Sequence, residues 1–329
     1  MKQVQIEALR EGGRRRPRPA LRLQLHLDAA ADTQTAETLQ LAQNDLEQRA
    51  IAAYLAGCNL QMGDEIGSGQ FGRVYRLTNT ETSEITNQVI KVFIPGESSR
   101  TRTDRGEALA SEFESSQIAK TECLYLEGER LERRQRTPTA PLAAVIMPYI
   151  DGTSLDRIIK SQSTDERSPS TDERAKQIVL QIAQALQLIH TQGIAHRDIK
   201  PDNIIIQGDA CVLVDFGIAK KYTPPSEETP KGAHVYMAPE RHSSKTYLPQ
   251  DIGKGDIYSL GVILLQLLGH KPPAAECEFA MEDTITETLS AVEGPFKTAL
   301  TGMLDPNHET RWSADQVIKH LSSLTLIQA

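Results

Sequence analysis

His196-Arg197-Asp198-Ile199-Lys200-Pro201-Asp202-Asn203, followed by the apolar run Ile204-Ile205-Ile206, is the stretch on which the fold turns. Twelve residues beyond Asn203 stands Asp215-Phe216-Gly217. Upstream lies Gly67-Ser68-Gly69-Gln70-Phe71-Gly72-Arg73-Val74. In a dinucleotide fold such glycines open a helix. Here Val74, Tyr75 and Leu77 continue as a strand and a second strand follows, so the glycines bend a hairpin whose backbone N–H groups can lie over phosphates. In the second strand, alternation puts Val89, Lys91 and Phe93 on one face. A lysine on an apolar face either snorkels to water or is held by a carboxylate.

Two charged motifs in this order, behind a glycine hairpin and a strand lysine, do not assemble by chance. From about Leu60 to Leu324 the chain resembles the eukaryotic-type Ser/Thr protein kinases. The resemblance implies an α+β, bilobal fold: a small β-rich N-lobe with one helix (60–147), a hinge (148–152) and a larger helical C-lobe (153–327).

It also implies roles, residue by residue. Gly67, Gly69 and Gly72 would cover the phosphates of ATP, and Lys91 would contact the α- and β-phosphates. Val74 and Val89 would roof the adenine, with Val89 bulkier than the usual alanine. Met147-Pro148-Tyr149-Ile150 resembles the hinge, where adenine would bond the Pro148 carbonyl and the Ile150 N–H. Asp198 would accept the proton of a protein substrate's hydroxyl, Lys200 would steady the γ-phosphate, and Asn203 and Asp215 would hold Mg²⁺, or Mn²⁺ in its place. Glu240 of Ala238-Pro239-Glu240 would pair with Arg311, and Asp256 would brace the catalytic loop, all three holding the lobe together. Lys200 two residues past Asp198 favours Ser/Thr over Tyr acceptors.

Three glutamates compete for Lys91 on a helical stretch expected over Asp104–Lys120: Glu107, Glu112 and Glu114. In the family the paired Glu is followed four residues later by an apolar residue. Only Glu114 meets this, with Ile118, and it is the expected partner; Ser111 and Ser116 follow the other two.

Two departures bear on activity and regulation. Ala233 stands after Gly232, where Ser/Thr kinases usually carry Thr, so substrate alignment is expected to be weaker. Thr229, three residues before Gly232, has the spacing of an activating phosphosite, with Ser226 and Thr223 as runners-up. A phosphate there would meet Arg197 and Lys220, unless Arg197 pairs permanently with Glu227 or Glu228. A nucleotide-binding pseudokinase or scaffold is the alternative reading, set against the retention of Lys91, Asp198, Asn203 and Asp215. Small-molecule kinases normally lack Ala-Pro-Glu and its arginine.

Residues 1–59 lie outside the resemblance. Before His26, Lys2, Arg10, Arg14, Arg15, Arg16, Arg18 and Arg22 face only Glu7 and Glu11, which reads as a basic, disordered tail over 1–32 and a candidate for binding an acidic partner. Over 33–59, Leu39, Ala42, Leu46, Ala50 and Ala53 step by three or four, marking an amphipathic helix stopped at Gly57 and packed on the domain behind it. Ser163-Thr164-Asp165-Glu166-Arg167 recurs as Ser170-Thr171-Asp172-Glu173-Arg174, which reads as a flexible surface loop.

The whole-chain numbers restrict the alternatives. A net charge of -8 argues against wholesale nucleic-acid binding, and no apolar run is long enough to span a membrane. Met1 to Gly13 lacks the apolar core of a secretory signal. Four scattered cysteines without a C-x-x-C pair fit reduced thiols, and hence a cytoplasmic protein; delivery of a microbial effector into a host cell is the second option.

Overall fold

The computed structural model describes residues 33–69, 72–93, 106–107, 109–127, 130–133, 142–161, 169–222, 226–227, 234–242, 246–247, 253–272 and 278–326. The basic tail, Thr229, Gly232, Ala233 and the first Ser-Thr-Asp-Glu-Arg copy lie outside these residues. After a long helix α1 (Thr33–Gly57) come six strands: β1 (Leu60–Gly69), β2 (Gly72–Asn79), β3 (Ile85–Phe93), β4 (Glu122–Glu127), β5 (Arg130–Arg133) and β6 (Leu142–Pro148). They form one antiparallel sheet in the order β1-β2-β3-β6-β4-β5.

Alternation along β3 divides the sheet into two faces. Ile90, with Leu77, Leu124, Ala144 and Ile146, packs under α1 through Ala50, Ile51 and Leu55. Lys91 and its neighbours turn to the opposite face, where Phe93, Cys123 and Val145 cluster. The helix is therefore part of the N-lobe core. Its buried face matches the one expected only in part: Ala50 is buried, but Ala53 is exposed and Leu46 half-buried, while Ile51 and Leu55, outside the expected stripe, are fully covered. The sheet takes Ile51 and Leu55, bulky residues at i, i+4 spacing, beside Ala50, because they cover more of its apolar face than Ala53 could. Leu55→Ala is expected to cost about 2–5 kcal/mol, read as a fall in Tm, with Gln48→Ala on the exposed face near neutral.

The expected helix over Asp104–Lys120 is much shorter. This segment, α2, is helical at residues 106–107 and 109–110, turns at 111–112, and reaches an isolated parallel bridge between Ile118 and Leu213. The turn is closed by Glu112 N–H donating to Leu109 O (3.1 Å) and Phe113 N–H to Ala110 O (3.3 Å).

The C-lobe is helical: α3 (Leu155–Ser161), α4 (Pro169–His190), α5 (Lys254–Leu267), α6 (Glu278–Ala291), α7 (Lys297–Met303) and α8 (Ala314–Ser323). Ile178, Ile182, Ala185 and Ile189 form the buried stripe of α4. The second Ser-Thr-Asp-Glu-Arg copy is not a loop: Ser170–Arg174 lies in the first turns of α4, which opens on Pro169. Proline is well placed at a first helical position, where the missing N–H would have no intrahelical partner. Helix α5 is buried nearly all round and contacts α4 and α7. Short strand pairs position the catalytic loop: β7 (Thr153–Ser154), β9 (Ile204–Gln207) and β10 (Ala210–Leu213) make one sheet, and β8 (Ile194–Ala195) pairs with β11 (Lys220–Lys221).

Candidate active site

A cleft of about 630 Å³ separates the lobes. Gly67, Gly69, Gly72, Val74, Val89 and Lys91 line it from the sheet, and Pro148 and Ile150 from the hinge. Asp198, Lys200, Asn203 and Asp215 line it from the C-lobe. Met147 of the hinge adds apolar lining, as do Ile66 and Ile205, which no sequence motif includes. Ile205 follows Asn203 by two residues, so strand alternation was the signal available for it.

The three glycines are needed for different reasons. A Cβ on Gly72 would lie 2.5 Å from Val92 O, so β2 could not pair with β3 at this register. Gly67 and Gly69 have open space where a Cβ would go. Their bareness serves the cleft and not the packing of the sheet. Gly72→Ala is expected to lower Tm, whereas Gly69→Ala should leave Tm unchanged and weaken ATP binding; calorimetry on both separates the two roles.

Lys91 Nζ lies 3.0 Å from Glu107 Oε1 and 2.5 Å from Asp215 Oδ1. Glu107, not Glu114, is thus the buried partner. Glu114 lies beyond the end of α2, is 89% exposed, and its ion-pair partner among the described residues is Lys120 at 3.6 Å. The apolar-spacing rule presumed a continuous helix, and this one stops before Glu114. Burial alone would depress the Lys91 ammonium, but Glu107 and Asp215 outweigh it and raise its pKa above the ordinary lysine value. Asp215 is likewise pushed up by burial but held below the usual carboxylate range by Lys91.

The catalytic loop is held from beneath. Asp256, at the start of α5, accepts the N–H groups of His196 and Arg197, both at 2.8 Å, and faces His190 Nε2 at 3.0 Å. These bonds support Arg197 at φ 72° and leave the Asp256 carboxyl far below its ordinary pKa, with His190 and Arg241 overcoming the penalty of full burial. Asp215 also adopts a left-handed backbone, φ 60°, and its Oδ1 accepts the Gly217 N–H at 3.2 Å. Left-handed conformations cost non-glycine residues about 1–3 kcal/mol and persist where the surroundings over-determine them. His196 Nε2 donates to Val214 O (3.2 Å) and Nδ1 accepts the Asp198 N–H (3.3 Å), the pattern of a neutral imidazole, whose pKa is lowered by burial. Its ring meets Phe216 edge-on at 4.6 Å.

Asp198 Oδ2 accepts from Lys200 Nζ at 2.7 Å and Asn203 Nδ2 at 2.9 Å. Asn203 Nδ2 also donates to Asp198 O at 2.8 Å. With Nδ2 committed, Asn203 has Oδ1 left to accept, and Asp215 has Oδ2. Two oxygen donors fit Mg²⁺, which usually takes few protein ligands beside water and phosphate oxygens. Among the described residues no cluster of three or more His, Cys, Asp or Glu could enclose a metal alone. At the hinge, the Arg76 guanidinium stacks 3.3 Å from the Tyr149 ring centroid.

The Ala-Pro-Glu glutamate meets its arginine as expected. Arg311 Nη1 and Nη2 donate to Glu240 Oε1 and Oε2 at 2.7 and 2.8 Å, with both residues buried.

Comparison with known proteins shows the family. The family model of the protein kinase domain matches residues 60–321. The chain is 34% identical over 143 residues to the serine/threonine-protein kinase PknB of Mycolicibacterium smegmatis, covering 42% of this chain and 21% of that protein. It is 42% identical over 135 residues to PknD of Mycobacterium tuberculosis, covering 39% and 19% respectively. It is 28% identical over 288 residues to calcium-dependent protein kinase 8 of Oryza sativa subsp. japonica, covering 80% of this chain and 48% of that protein. The matches thus span about a fifth of the two mycobacterial proteins and about half of the rice one. No described helix is long and apolar enough to cross a membrane.

Proposed function

The chain belongs to the protein kinase domain family, and on that premise we propose that it transfers the γ-phosphoryl group of ATP to serine and threonine hydroxyls of a protein substrate. One observation carries the reading: the Lys91–Glu107–Asp215 cluster and the Asp198–Lys200–Asn203 cluster line the same cleft. Phosphoryl transfer asks the protein for positioning and charge neutralisation more than for covalent chemistry.

Lys91, kept protonated by its carboxylates, binds the α- and β-phosphates. With Asp198 Oδ2 occupied by Lys200 and Asn203, Oδ1 is the oxygen that takes the substrate hydroxyl proton. Lys200 is shared between Asp198 and the transferring phosphate. Asn203 and Asp215 would hold Mg²⁺, which when bound would supply neutralisation of phosphate charge. The adenine lies between Val74 and Val89 above and Ile205 below, against Pro148 and Ile150. Phosphorylation at Thr229 raises the rate, and the basic residues before His26 engage an acidic partner. The protein works in the cytoplasm, a setting that suits cysteines such as Cys58 and Cys211, which form no disulfide.

Phosphoamino-acid analysis of a labelled generic substrate tests the reading, in parallel with Mg²⁺, with Mn²⁺ and with chelator. Phosphoserine or phosphothreonine is expected, and no label with chelator. Label on tyrosine alone would refute the acceptor class. Thr229→Ala should phosphorylate substrate more slowly; an unchanged rate rules out the Thr229 switch.

A further inference from the structure

Glu107 is held in place by contacts beyond its ion pair with Lys91. Its chain neighbour Gly106 abuts the turn that follows Val214. A Cβ built on Gly106 would lie 1.9 Å from Phe216 O, 3.0 Å from Phe216 C and 3.0 Å from Ala219 N. These are backbone atoms, and they are committed: Ala219 N–H donates to Phe216 O at 2.9 Å, closing the turn. A neighbouring flexible side chain could swing away; this turn cannot do so without losing its own hydrogen bond. On the other side of Glu107, the buried Thr121 hydroxyl donates to Glu107 O at 2.7 Å. Farther along, Ala110, Phe113 and Ile118 share one core cluster with Phe216.

We infer that Gly106 is a positioning residue: its missing side chain seats α2 directly on the Phe216–Ala219 turn, and this seating, with the Thr121 hydroxyl, sets Glu107 against Lys91. The site therefore carries a steric gauge between α2 and the start of the activation segment. Relieving a 1.9 Å contact requires a shift of more than about 1 Å, enough to carry Glu107 out of hydrogen-bond range of Lys91, now 3.0 Å away. The inference rests on the kinase reading for its rate effect alone; the seating of Glu107 can be measured separately.

Gly106→Ala, Glu107→Gln and the double variant would be compared with the intact chain by two readouts: kcat and ATP KM, and the pH at which a small amine-reactive reagent modifies Lys91, mapped by mass spectrometry. Misplacement by about 1 Å can cost about a hundredfold, so Gly106→Ala is expected to lower kcat by roughly that factor. Lys91 should become reactive at lower pH in both single variants, and the double variant should lose no more than Glu107→Gln does. A Gly106→Ala protein with unchanged kcat and Lys91 reactivity would overturn the inference, as would losses that multiply in the double variant. If Gly106→Ala does not fold, Thr121→Val carries the test: it removes one hydroxyl and should shift Lys91 reactivity in the same direction, with Thr121→Ser restoring it. Unchanged reactivity in Thr121→Val would then refute the seating. If the intact chain binds ATP but transfers nothing, the kinase reading fails and Lys91 reactivity still decides the role of Gly106.

Discussion

Asp198→Asn is expected to lower phosphoryl transfer by about 10²–10⁴-fold while leaving ATP affinity within a small factor of the intact chain. The substitution is nearly isosteric, so an amide oxygen can still accept from Lys200 and Asn203 in place of Oδ2. What is lost is the anionic oxygen that takes the hydroxyl proton. Nucleotide contacts come from the sheet, the hinge and Lys91, so binding and transfer should separate cleanly. Initial rates beside calorimetric ATP binding check this. A parallel loss of both would mean that Asp198 shapes the cleft instead of acting in the reaction.

Arg311→Met is expected to destabilise the C-lobe by about 3–5 kcal/mol, the usual cost of leaving one member of a buried ion pair unpartnered. Arg311 is fully buried and spends its guanidinium on Glu240 and on the carbonyls of Asp305 (2.8 Å), Lys254 (3.2 Å) and Pro306 (3.3 Å). Denaturant unfolding should show the fall, and adding Glu240→Leu should recover part of it, because the stranded carboxylate is then gone. The pair also carries a pH signature. Burial alone would raise the Glu240 carboxyl, but Arg311 pulls it below its ordinary value of 4.5. A depressed folded-state pKa contributes stability above that value, and the contribution is lost as pH falls through the lower, folded-state pKa. Acid unfolding of the double variant should therefore depend less steeply on pH below about 4.5 than that of the intact chain.

The residues legible in the sequence were those fixed by short spacings. Asp198, Lys200 and Asn203 lie within six residues of one another, and a single loop presents them together. Glu240 with Arg311, and Asp256 beneath the catalytic loop, were reached through the family pattern, and the structure places both contacts as expected. Glu107 was not singled out because the spacing rule presumes a helix that continues to Ile118, whereas α2 stops at residue 110 and Glu107 is seated by Phe216 and Thr121. Gly106 carried no sequence signal at all, since its role exists only against the backbone of the Phe216–Ala219 turn. Likewise, which stripe of α1 is buried depended on the sheet it meets, and the repeat Ser170–Arg174 joined a helix despite its loop-like composition.

Counting ADP and phosphoprotein in the same reaction, with Mg²⁺, labelled ATP and a generic Ser/Thr substrate, tests the central claim most directly. A working protein kinase forms the two in equal amounts. Nucleotide binding with neither product, or ADP matched only by free phosphate, would contradict it.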